Sequence, residues 1–237
     1  MSRNDSTESL KRELRTLGDR ERAIAAKAYL KSELEFFGVA AHPLRAAVRS
    51  FLDDRPELDS KSLKVVVSRL WSEPVFDLRA AAVAILERRN RRFGVDLLDF
   101  VEPMLASSFT WALVDWISTK VVAPVVSRNP EATDRLRRWA AADDFWLRRA
   151  SLLSLLPDLR AGGGNFELFA ELAVPMLAER EFFIRKAIGW VLRDTSRKRP
   201  ELVASFVEMH RDAMSALTYR EATRRLPEEL RNRLDPP

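Results

Sequence analysis

An indole at Trp111 and a carboxylate at Asp115 stand four residues apart, which on a helix places them one turn apart on the same face. Further along the chain, Arg149 and Lys186 supply two bases and Trp190 another indole. Such a set suits a limited kind of chemistry. The acid attracts positive charge, the bases suit phosphate oxygens, and the indoles present π faces to a cation. Whether these residues belong together depends on the elements that carry them.

A repeat ties them to one register. The stretches Val75–Ala82, Ser108–Trp116, Asp144–Ser151 and Glu181–Ile188 align with Asp77, Trp111, Trp146 and Phe183 in one column, at steps of 34, 35 and 37 residues. A period in that range marks stacked helical repeats. Four residues on, the column reads Ala81, Asp115, Ala150 and Ala187. Three repeats put a small apolar residue where helices approach closely, and one puts a charge there. That charge costs free energy unless it is paired or used, so Asp115 is read as a working residue. Positions 0, 3, 4 and 7 of successive repeats form one strip, whose sign changes from Asp115 to Arg149 and Lys186. Arg79, Arg148 and Arg185 share a different column, and a repeat-stabilising role is expected for them.

Apolar residues recur at helical spacing almost throughout, and no alternating strand pattern stands out. Asp5 followed by Glu8 resembles a capping box for a first helix, closed by Gly18. A second helix is expected from about Arg20 to Phe36, ending at Gly38, and Pro43 opens a third. Pro-Glu pairs at Pro56, Pro130 and Pro200 read as helix starts. The Gly162–Gly164 run reads as a loop. The expected architecture is all-α: a curved solenoid of HEAT-like antiparallel helix pairs, with residues 1–237 as a single HEAT-like repeat domain.

The totals bound the chemistry. Among 237 residues there is no Cys, which removes disulfides, Cys-ligated zinc and iron–sulfur clusters and fits a reducing compartment. Two histidines in unrelated segments, His42 and His210, argue against a triad or metal site, and no metal or cofactor is expected. There is no phosphate-binding Gly-Lys loop, no Ser elbow and no paired metal-binding His motif. No signal peptide or membrane span is visible, so the protein is expected to be cytoplasmic. The formal net charge is +5, with 32 arginines and eight lysines. Arginine suits phosphate recognition, although the excess alone only weakly favours a polyanion.

The chain resembles the DNA alkylation repair family, the AlkD-like DNA glycosylases built from HEAT-like repeats. The resemblance rests on Phe37-Gly38-Val39 with Pro43 and Arg45, on Leu70-Trp71 with Pro74 and Ala80-Ala81-Ala82, on Trp111 with Val114-Asp115, on Trp146-Leu147 with Arg149-Ala150, and on the block from Phe182 to Arg193. It covers nearly the whole chain, and the last block is its most specific part. Thr110, where an aromatic often precedes the Trp, and Trp116 after the Asp depart from the pattern. The resemblance implies an excision site of Asp115, Trp111 and Trp190, with Arg149 gripping the DNA backbone. It implies excision of N3- and N7-alkylated purines from double-stranded DNA by a monomer. Lys186 fits a second phosphate contact.

The residues suffice for that chemistry. An N3- or N7-alkylated purine already carries positive charge and leaves without a general acid. The transition state needs stabilisation of the cation developing on the deoxyribose, and a positioned water. A carboxylate ~4 Å away, at an effective dielectric near 20, contributes about 4 kcal/mol, roughly a thousandfold in rate. Weak sequence preference and steep salt dependence of binding are expected. Two other readings stand beside it: a non-catalytic HEAT-like binder of distorted or branched DNA, and a protein-interaction scaffold.

Overall fold

The computed structural model describes residues 3–234, and among them the regular structure is helical. A lone parallel bridge joins Glu35 to Val75. No described helix is long and apolar enough to cross a membrane. The chain forms two compact units, Met1–Ile117 and Ser118–Pro237.

The first unit contains α1 (Arg3–Thr16), α2 (Arg20–Leu30), α3 (Ala41–Asp53), α4 (Ser60–Trp71), α5 (Phe76–Arg88), α6 (Asp96–Ala106) and α7 (Trp111–Trp116). Helix α5 is its centre: every residue from Asp77 to Leu86 is buried, and α1, α3, α4 and α7 all pack on it. The run Ala80-Ala81-Ala82 allows this, because small side chains let several helices approach one axis. Helix α3 turns Leu44, Val48, Phe51 and Leu52 inward, each stabilising the fold by about 1.5–3 kcal/mol.

The second unit contains α8 (Ala123–Arg128), α9 (Thr133–Ala140), α10 (Phe145–Leu153), α11 (Leu156–Ala161), α12 (Phe166–Ala173), α13 (Phe182–Thr195), α14 (Pro200–His210), α15 (Ala216–Thr223) and α16 (Glu228–Leu234). Helix α13 is the counterpart of α5, packed by α10, α11, α14 and α15. Its contact with α15 is made at Gly189, where an added Cβ would lie 2.5 Å from Glu221 Cβ and 3.2 Å from the Thr218 carbonyl oxygen. Helices of the repeat register therefore pack on one another inside each unit, α5 on α7 and α10 on α13.

Local sequence sets seven of the described helix starts. The side chains of Asp19, Asp59, Thr110, Asp144, Asn165, Glu181 and Ser215 each accept a backbone N–H of the first turn, offsetting donors that would otherwise lack partners. Gly162, in the left-handed region at φ 95°, closes α11.

Three local expectations differ from the structure. Helix α1 begins at Arg3, so Asp5 and Glu8 fall within it and not at its start. Helix α2 stops at Leu30, where Lys31 turns left-handed at φ 49°. Residues beyond it are drawn to α5 instead: Glu35 exchanges backbone bonds with Pro74 and Phe76, each 2.8 Å. The Pro56-Glu57 pair opens no helix; α4 starts later, capped by Asp59. At the other two pairs, Pro130 opens a short 3₁₀ turn before α9 and Pro200 opens α14.

Candidate functional site

Trp111 is the first residue of α7, and Asp115 lies one turn on. Both are partly exposed. The other members of the Asp115 column, Ala81, Ala150 and Ala187, are fully buried. Asp115 therefore sits in a position that its repeat partners fill with small packed side chains, while keeping some of its own surface. It is not without a partner. The Trp111 ring meets Tyr29 of α2 edge to face, with centroids 5.8 Å apart and planes at 78°. Helix α7 has only six residues before the chain passes into a π-helical segment, Ile117–Val122. Such segments are rare and concentrate at functional sites.

The entrance to α7 is held from α5. Buried Arg79 donates to the carbonyls of Glu73 and Ser107, with its guanidinium 5.0 Å from the Trp71 ring centroid and 5.5 Å from that of Phe109. Its burial pushes its pKa below the ordinary arginine value. Phe109 adopts a left-handed φ of 55°, an arrangement that costs a side-chain-bearing residue of order 1–3 kcal/mol. Arg79 and the Thr110 cap flank this turn and aim α7. The same arginine column works alike elsewhere: Arg148 donates to Ala142 and Arg185 to Glu179, each reaching the carbonyl six residues back, as Arg79 does. The column is thus repeat-stabilising.

Trp116, the departure after Asp115, donates from Nε1 to Glu87 Oε2 at 2.7 Å. The Arg45 guanidinium lies 4.8 Å from its ring centroid and binds the same Glu87 oxygen at 3.0 Å.

In the second unit the structure brings Arg149, Lys186 and Trp190 onto α10 and α13. Lys186 and Trp190 are one turn apart on α13. Arg149 of α10 donates to the Phe183 carbonyl at the start of α13, and its guanidinium lies 5.7 Å from the Phe183 ring centroid. Arg149 is 4% exposed, whereas the sequence reading assigns it a phosphate contact. In this conformation it joins two helices and offers almost no surface to a DNA backbone. Trp146 packs between Phe145 and Phe183, with centroid separations of 4.3 and 4.9 Å, as a structural aromatic would.

Lys186 donates to Glu221 Oε1 at 2.7 Å. Burial pushes the Glu221 carboxyl up, but the Lys186 hydrogen bond and the charges of Lys186, Arg193 and Arg224 outweigh it and hold the group below its ordinary value. Trp190 Nε1 donates to Asp194 Oδ2 at 3.1 Å. The same oxygen meets the Arg160 guanidinium at 2.5 Å, and Arg193 reaches Asp194 Oδ1 at 3.4 Å.

Tyr29, Asp194, Arg160 and Glu221 were not legible as neighbours of the expected site. Asp194 left a signal, since Trp190-x-x-x-Asp194 repeats the spacing of Trp111-x-x-x-Asp115. The others are brought in by tertiary packing. Among the described residues no group of three or more His, Asp or Glu side chains is gathered as a metal site.

Solved structures share this fold. A predicted DNA alkylation repair enzyme from Enterococcus faecalis superposes with a TM-score of 0.80 at 23% identity, covering 89% of this chain and 97% of its own. AlkD2 from Streptococcus mutans gives 0.60 at 16% identity, with 87% and 98% covered. The smu.31 protein from Streptococcus mutans UA159 gives 0.59 at 16%, with 78% and 92% covered. No curated protein matches the chain. The family model described as DNA alkylation repair enzyme matches residues 10–226, so register, inner helices and the Trp111–Asp115 helix all fall within the match, and the chain belongs to that family.

Proposed function

We propose that this member of the DNA alkylation repair family is a monofunctional glycosylase that hydrolyses the N-glycosidic bond of N3- and N7-alkylated purines in double-stranded DNA. The observation that carries the reading is Asp115: a partly exposed carboxylate, on the face of Trp111, in a column otherwise filled by buried alanines. The carboxylate steadies positive charge developing on the deoxyribose and positions the attacking water. Electron density from the breaking C–N bond neutralises the cationic purine as it leaves, and water completes the sugar, giving an abasic site and a proton. Roughly 4 kcal/mol from one carboxylate is useful for a labile cationic lesion and far too little for a neutral base.

Trp111 and Trp190 offer indole faces to the damaged nucleotide, each contributing on the order of 0.5–2 kcal/mol against a cation. Lys186, with a 38% exposed side chain, is the better placed of the two expected phosphate ligands. Arg149 contacts phosphate only if its guanidinium turns away from the Phe183 carbonyl. The reading takes the whole chain as one HEAT-like array acting as a monomer, with neither metal nor cofactor in the reaction.

The test is release of 7-methylguanine and 3-methyladenine from methylated duplex DNA by wild type and Asp115→Asn. Wild type releases both bases and the variant is slower by about a thousandfold. Equal release by both would remove Asp115 from the mechanism. Duplex binding with no release by wild type would replace the glycosylase with the non-catalytic DNA binder.

A further inference from the structure

Between α3 and α5, within the first unit, lies a groove of about 400 Å³ lined by Arg45, Val48, Arg49, Ala84, Glu87 and Arg88. Val48 and Ala84 form its buried floor. Three guanidinium groups and one carboxylate line it, so it carries an excess of positive charge. Arg45 and Arg49 are four residues apart on α3, a like-charge spacing that weakens a helix. The single acid does not balance them, because Glu87 Oε2 is already shared by Arg45 and the Trp116 indole. Arg88 reaches Asp53 only at 4.0 Å, with both side chains about half exposed. Arg49 is exposed and makes no ion pair among the described residues. The net charge of the groove is positive, and paired guanidinium forks match phosphate oxygens.

We infer that this groove holds a backbone phosphate of duplex DNA, a binding site distinct from the Asp115 carboxylate but joined to its helix through Arg45, Glu87 and Trp116. The inference rests on the reading of DNA as substrate. Arg49 and Arg88 are the phosphate ligands. Arg45 is held against Trp116 and completes the positive wall. Glu87 accepts from both Arg45 and the Trp116 indole, and its negative charge opposes the phosphate. A phosphate contact of this kind carries no sequence information and acts equally on damaged and undamaged duplex.

The experiment is a salt series of binding to an undamaged duplex, read by fluorescence anisotropy, with the full chain as wild type, Arg49→Ala/Arg88→Ala and Glu87→Gln. The double variant binds about tenfold more weakly at low salt, and the slope of log affinity against log salt shrinks by about 0.9 for each phosphate lost. The loss is the same on unrelated sequences. Glu87→Gln moves the other way and binds more tightly, because the amide oxygen still accepts the Trp116 N–H while the competing negative charge is gone. A merely structural role for these side chains would not produce opposite signs. An unchanged slope in the double variant, or weaker binding by Glu87→Gln with its thermal midpoint intact, overturns the inference. Base release by wild type with an unchanged slope in the double variant removes the groove and leaves the glycosylase. A reduced slope with no base release by wild type removes the glycosylase and leaves the groove.

Discussion

The spacing Trp-x-x-x-Asp occurs three times; Trp139 and Asp143 straddle the end of α9, while the other two copies lie within a single helix, one in each unit, and do different work. In the second unit, Trp190 donates its indole N–H to Asp194. That carboxylate is 9% exposed and is met by Arg160 and Arg193. It is neutralised and committed to holding α13, its tryptophan and α11 together. In the first unit, Trp111 meets Tyr29 through its ring edge, and Asp115 keeps part of its surface on a six-residue helix that runs into a π segment. Spacing alone does not separate the two. Register does: Asp115 falls in the column of buried alanines, whereas Asp194 lies beyond the four positions that the repeats share.

The largest way to break this comparison is to make one substitution at both acids. Asp115→Asn slows base release by about a thousandfold, with a small change in thermal midpoint. Asp194→Asn keeps an acceptor for the Trp190 N–H but loses the charge facing Arg160 and Arg193. It slows release by less than tenfold, lowers the thermal midpoint, and shifts Trp190 fluorescence. Equal losses of activity at both sites would dissolve the distinction.

A third acid sharpens it. Asp77 is 2% exposed, and its two oxygens accept the backbone N–H groups of Phe37, Gly38 and Val39 at 2.7, 3.4 and 2.8 Å. It occupies the aromatic column of the register, but its work is to bind an irregular strip to the start of α5. Asp77→Ala leaves buried donors unpaired, at about 1 kcal/mol or more each. A loss near 3 kcal/mol in urea-melt stability follows, larger than for either Asp115 or Asp194. A loss below about 1 kcal/mol would show that the strip finds other partners.

How much could be read from the sequence follows from these residues. The register was legible because inner helices must place small residues at a fixed step, as Ala81, Ala150 and Ala187 do. The arginine column was legible for the same reason. The end of α2 was not, because Leu30 is followed by residues that obey partners about 40 positions away, Val75 and Asp77. Nor was the π segment, whose Ile117, Thr119, Val121 and Val122 read as ordinary helix under a 3.6-residue period. The acids divide the same way. Asp115 was flagged by its column, but which tryptophan–aspartate pair is an ion-pair anchor depends on Arg160, 30 residues away, which no local pattern announces.

Gly189 offers a smaller test of the second unit. With Glu221 Cβ 2.5 Å from the position of an added Cβ, Gly189→Ala forces α15 away from α13 and costs about 1–3 kcal/mol by overpacking. Because Trp190 is the next residue, its fluorescence shifts together with the melt. A stability loss without a spectral change would mean that α15 yields while α13 holds its tryptophan.

The smallest effect concerns pH. Glu221 joins Lys186 to Arg193, and Arg193 in turn reaches Asp194, so its charge supports the anchored pair and not Asp115. Its folded pKa lies below the ordinary value of 4.5 despite burial. A carboxylate whose folded pKa is depressed contributes stability that is fully present above the unfolded pKa and is lost as pH falls through the folded one. The window therefore opens at about pH 4.5 and extends downward. A pair with a 38% exposed lysine contributes about 0.5–1 kcal/mol, or about 1–4 °C in a chain of this size. The melting temperature of wild type should fall more steeply below pH 4.5 than that of Glu221→Gln, and the two curves should run parallel from pH 6 to pH 8. Curves that stay parallel down to pH 3 would show that Glu221 gives the second unit no net charge stabilisation, and would leave Asp194 with Arg160 as the anchor of Trp190.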